Sequence, residues 1–168
     1  MRPIMLASLI TVGVASAAAA QASQTTITAG PAAELLAKAE KLNPITDRIR
    51  LARLHEKAAN LLPSNDPQVS LSLRIAAQAH YLDGRRSEAV GLLERAARSA
   101  VSRGDFVDGA NLHIAAAMVA AEMGDKARAR QFLDFSLALA ARNEMPDTDR
   151  RRILTRIAQL VTPAGTQN

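Results

Sequence analysis

The chain has no cysteine and no tryptophan, and only one tyrosine and three phenylalanines in 168 residues. Without cysteine there are no disulfides, thiolate metal sites, c-type haem attachment or cysteine nucleophile. A lipid-modified cysteine at a mature N-terminus is excluded as well. An aromatic content of 2% leaves little to stack against nucleobases. Aromatic and β-branched residues, which strands favour, are sparse beyond the N-terminus. No glycine-rich phosphate loop occurs, and no Gly-x-Ser-x-Gly elbow. His55-Glu56 lacks the second histidine, four residues on, that a zinc protease needs. Beyond the N-terminus no apolar run approaches the roughly 20 residues of a membrane span; the most apolar segment, 112–121, is broken by His113.

Alanine and arginine are plentiful instead. Alanine is the strongest helix former and lets helices approach closely, so the composition points to an all-α domain. The formal charge is +5. Arginines alternate with Glu and Asp along the helical segments, as on solvated faces.

Met1-Arg-Pro carries one positive charge, residues 4–14 are mainly apolar, and residues 15–22 are small apart from Gln21. This is the tripartite pattern of a secretory signal. Cleavage is expected after Ala20 or Ala22, leaving a periplasmic or secreted protein with no transmembrane helix in its mature form. Residues 23–30 read as a flexible leader, 31–162 as one helical domain and 163–168 as a disordered tail.

Within the domain, proline and glycine punctuate seven helical stretches. Pro31 opens the first, which runs to about Leu42, and Asn43-Pro44 breaks it. The second covers about 45–62. Asp66-Pro67 caps and starts the third. Gly84, Gly104 and Gly124 end the third, fourth and fifth, with Asp105 and Asp125 as caps for the helices that follow. The fifth and sixth are apolar nearly all round, which places them between other helices. The seventh, about 147–161, carries Ile153, Leu154, Ile157, Leu160 and Val161 as a buried stripe, with Arg150, Arg151, Arg152 and Arg156 largely outside.

Two stretches repeat. Under an offset of 40 residues, Ala76, Ala77, Gly84, Ala89, Leu93 and Ala100 recur as Ala116, Ala117, Gly124, Ala129, Leu133 and Ala140. The stretch Ala79-His-Tyr81-Leu-Asp-Gly84-Arg-Arg-Ser-Glu88-Ala89-Val-Gly-Leu-Leu93-Glu-Arg-Ala96 resembles a tetratricopeptide repeat. Gly makes the turn, Glu-Ala follows, and a large apolar residue precedes Ala by three positions. Gly124, Ala129 and Leu133 repeat the pattern with Ser136 in place of Ala. The period is longer than the roughly 34 residues of that family, and Leu73 and His113 stand where its tryptophan is common. The resemblance implies a right-handed array of about three antiparallel helical hairpins plus a C-terminal capping helix. It implies further that the first helix of each hairpin lines a groove, with Arg74, Gln78 and Tyr81 from the second hairpin and Asn111, Ile114, Met118 and Ala121 from the third.

Such arrays present surfaces to partners. The expected function is binding of a protein or peptide in the cell envelope, as adaptor or assembly factor, with no cofactor, metal, catalytic residue or nucleic-acid partner. Two alternatives stand beside it. One is a small periplasmic enzyme with an unrecognised site, which needs convergent carboxylate and histidine side chains in a deep pocket. The other is an arginine-mediated binder of anionic envelope components, which needs Arg150, Arg151, Arg152 and Arg156 on one patch. His80 and His113 are expected to approach one another at most as packing histidines.

Overall fold

The computed structural model describes residues 30–161, so the expected signal segment with its two expected cleavage positions, nearly all of the expected leader and the expected tail lie outside the described residues. The described chain is all-α: α1 Pro31–Glu40, α2 Arg48–Leu61, α3 Pro67–Leu82, α4 Arg86–Ser102, α5 Phe106–Glu122, α6 Lys126–Ala140 and α7 Asp147–Val161. Each of α1 to α6 packs chiefly on its neighbours in sequence, while α7 touches both α6 and α5.

One turn is used three times. Gly84, Gly104 and Gly124 have φ near +80°, a conformation that a Cβ resists. In each turn the glycine N–H donates to the carbonyl three residues back. The next residue's N–H donates to the carbonyl five residues back: Arg85 to His80, Asp105 to Ala100, Asp125 to Ala120. These paired bonds satisfy carbonyls that a helix end would otherwise leave bare. The residue after each glycine is then the N-cap of the following helix. Asp105 and Asp125 accept from the N–H groups of Asp108 and Arg128 through their carboxylates, both at 3.0 Å. Asp66 does the same for Gln68 at 2.8 Å. The turn therefore recurs every 20 residues, half the period visible in the amino-acid pattern.

The core is built largely from alanine. Ala76, Ala96, Ala97, Ala100 and Ala116 are buried around Leu73, Val90, Leu112 and Phe132. Ala89 and Ala129, which the repeat places on the inner faces of α4 and α6, are buried too. The packing around Gly109 in α5 leaves no room for a side chain. A Cβ there would meet Val101 Cγ2 at 2.6 Å and Leu139 Cδ1 at 3.4 Å. Valine in a helix has essentially one χ1 rotamer, so α4 cannot yield by a side-chain swing. Gly109→Ala is therefore expected to destabilise by about 1–2 kcal/mol, although alanine is intrinsically better in a helix by about 1 kcal/mol. An equal or higher urea midpoint for the variant would show that α4 and α5 are not held this close.

Three expectations are corrected. The second helix starts at Arg48 rather than near Ile45, because Asn43 Oδ1 accepts from the N–H groups of Ile45 and Thr46 at 2.8 and 3.3 Å and holds a turn. The sixth helix is not enclosed: it buries the stripe Ala129, Phe132, Ser136 and Ala140 and leaves Phe135 45% exposed. Among the described residues no further hairpin packs outside it. In α7 only Ile153 and Ile157 are buried, whereas Leu154, Leu160 and Val161 are exposed. The helix touches α5 and α6 along a single i, i+4 edge.

Arg150 anchors α7. Its guanidinium donates to the carbonyls of Ala140 (2.9 Å), Arg142 (3.0 Å) and Met145 (3.1 Å), and to Asp147 Oδ1 (3.1 Å). These carbonyls include ones that the end of α6 leaves unpaired.

Candidate functional site

Arg74, Gln78 and Tyr81 follow one another at spacings of four and three, so they lie along one side of α3. The same side of the stack continues onto α5 through side-chain contacts. The Tyr81 hydroxyl donates to Glu122 Oε2 at 3.0 Å and Oε1 at 3.2 Å. Arg86 Nε approaches the same carboxylate at 3.4 Å, and its guanidinium carbon lies 5.7 Å from the Tyr81 ring centre. Burial, and then the Glu122 carboxylate, push the phenol's pKa up. Tyr81 is only partly buried, with one face on the core. Arg74 faces Asp108 at 3.7 Å. Burial raises the Asp108 pKa, with Arg74 and Arg103 opposing it. The Gln78 side chain has no hydrogen-bond partner among the described residues.

The α5 residues lie partly beneath α7. Asn111 Oδ1 accepts from Arg156 at 2.6 Å, and its Nδ2 donates to the Val107 carbonyl at 2.9 Å. Ile114 is fully buried in a cluster with Ile153 and Ile157, and Met118 packs on that cluster while remaining partly exposed. Ala121 is exposed. The seventh helix thus covers the α5 end of the surface, and the α3 end stays open.

The histidines are held apart by different partners. His80 Nε2 lies 2.9 Å from Glu56 Oε1. His113 lies against Phe132 and Phe135, with ring centres 5.9 and 5.3 Å away. Burial lowers the His113 pKa, with Glu94 opposing and Arg98 assisting; burial likewise lowers that of His55, against Glu40. Both rings therefore take up a proton less readily in the fold than in the unfolded chain. In the unfolded chain they take up a proton near the ordinary value of about 6.5. Protonation then favours unfolding, so stability is full above that value and falls as pH drops through it toward the lower folded pKa. The melting temperature is expected to fall between about pH 7.5 and 5.5. His113→Phe should flatten that slope. A slope unchanged by the substitution would mean that His113 titrates alike in both states.

Several other carboxylates are tied to arginines. Glu94 bridges Arg98 (2.6 Å) and Arg128 (3.3 Å). Asp147 and Asp149 pair with Arg150 (3.1 Å) and Arg152 (2.7 Å). Of the four arginines of α7, Arg150 is turned to α6, Arg156 to Asn111, and Arg151 Nε to the Asp147 carbonyl at 3.4 Å. Among the described residues no group of three or more His, Asp or Glu could hold a metal ion, and no helix is long and apolar enough to cross a membrane. An open concavity of about 350 Å³ lies where the start of α2 meets the end of α3, lined by Ile45, Asp47, Arg48, Arg50 and Asp83 among others.

The described residues form an all-α protein with a partly exposed row of Arg74, Gln78 and Tyr81 along α3. No model of a known protein family, no curated protein and no solved structure matches this chain.

Proposed function

We propose that the chain is an exported helical-repeat protein of tetratricopeptide-like build. It binds another protein or a peptide in the cell envelope, as adaptor or assembly factor. The observation that carries this reading is the open row Arg74, Gln78 and Tyr81 beside α5. Tyrosine and arginine are the side chains in which binding energy concentrates, and here both are partly exposed on one helix. Met118 extends the row, while Asn111 takes part through its link to Arg156. Ile114 supports it from beneath and meets a partner only if α7 moves aside.

The test is selection from a displayed peptide library on the intact protein, followed by affinity measurement. Arg74→Ala with Tyr81→Ala is expected to weaken selected peptides ~30-fold or more, the loss of about 2 kcal/mol that marks a binding hot spot. The melting temperature should change little. Peptides that bind the double variant as tightly would remove the row from the interface. A stability loss of about 3 kcal/mol or more from Tyr81→Ala alone would mark the ring as core. Export is checked by N-terminal sequencing of the envelope form, which should begin at Gln21 or Ser23; an intact Met1 would contradict it.

A further inference from the structure

Most described arginines from α3 onward have a partner, but those on the outer side of α2 do not. Arg50, Arg53 and Lys57 are exposed and make no hydrogen bond or ion pair with the described residues. At 100° per residue these three, with Leu61, fall within an arc of about 80° on the helix. The one acid of α2, Glu56, is turned away to His80. Large apolar side chains stand at both ends of the row. Leu61 is 56% exposed and Ile45 69%, and Ile45 lines the same concavity as Arg50.

We infer that this side of α2 lies on a lipid bilayer carrying anionic headgroups. Cations near such a surface are drawn to its phosphates, and the interface accepts exposed Leu and Ile side chains at the same depth. Long Arg and Lys stems can lie along the apolar boundary with their charges in the headgroups. An acidic polypeptide would answer the three charges but leave Ile45 and Leu61 in water. This surface is separate from the row on α3 and does not depend on it.

The experiment is co-sedimentation of the full chain with phosphatidylcholine vesicles, with and without phosphatidylglycerol. The readout is the ratio of the two affinities, because the apolar N-terminal segment is common to every variant. The intact chain is expected to prefer the anionic vesicles, and to lose that preference as salt rises. Replacing Arg50, Arg53 and Lys57 together with glutamine should reduce the ratio roughly a hundredfold, since each basic residue contributes about a factor of five. Lys126→Gln with Arg130→Gln, the unpaired cations of α6, should leave most of it. All these positions are exposed, and an unchanged melting temperature would confirm that each variant folds. Equal binding to both vesicles would overturn the inference. So would a triple variant that keeps the ratio, or an α6 variant that loses it equally, which would reduce the effect to net charge. Binding of polyglutamate through α2 without any vesicle preference would assign the row to an acidic polypeptide instead.

Discussion

Replacing Phe132 with alanine is expected to cost about 4 kcal/mol of folding stability. The ring is 2% exposed, among the largest fully enclosed side chains. It lies on His113 of α5 on one side and has the Arg128 guanidinium 5.5 Å from its centre. The surrounding cluster is mostly alanine. Alanines have no rotamers with which to fill a void, and the helices are already at contact distance, so the cavity should persist and its full cost be felt. Set against a total of about 5–15 kcal/mol for a typical domain, this is a large share. The denaturant midpoint should drop with little change in slope. A loss under about 1 kcal/mol would mean that α6 collapses onto α5 when the ring is removed.

Ile153→Ala should have the next largest effect, and one of different character. Ile153 is fully buried against Ile114 and Ala110, with Ile157 one turn on. Truncating a buried isoleucine costs about 2–5 kcal/mol. Yet α7 rests on α5 and α6 along one edge, so the measurable loss is bounded by the free energy of docking that helix. Once it detaches, a second truncation costs nothing more. Ile153→Ala with Ile157→Ala is therefore expected to cost clearly less than the two singles added. Hydrogen exchange should show α7 amides opening while α4 and α5 stay protected. Strict additivity, or unchanged protection of α7 in Ile153→Ala, would show that the helix is part of one cooperative unit.

Much of the fold was legible because the informative residues act locally. Gly84, Gly104 and Gly124 end helices through their own backbone angles, and Asp66, Asp105 and Asp125 cap through atoms two or three residues away. Both effects are visible in a short window. What was not legible depends on which neighbour a helix finds. Phe135 and Phe132 look alike on α6, and only the face that α6 turns to α5 decides that one is buried and the other exposed. Leu160 continues the spacing of Ile153 and Ile157, but the edge it follows has ended. Arg150 reads as one more surface arginine in a run of three; its role appears only when the end of α6 brings three carbonyls to it. Gly109 has no sequence signal beyond being a glycine inside a helix. At the candidate site, spacing puts Arg74, Gln78 and Tyr81 on one side of α3, while their choice as a groove came from the resemblance. The Glu122 carboxylate beneath the Tyr81 hydroxyl, 41 residues away, could not be read from either.

The neighbour-to-neighbour packing of the helices also governs how the chain reaches this form. Few long loops must close before apolar surface starts to be buried, since each helix meets its partner across a turn of a few residues. Chains of such local topology assemble on the microsecond-to-millisecond scale. The nearly identical turns give no single hairpin a privileged start, so nucleation can begin at any of them and spread both ways. Wherever a polypeptide emerges from one end first, as in synthesis, this architecture lets helices dock in order of arrival, with no segment waiting for a distant strand or for the C-terminus.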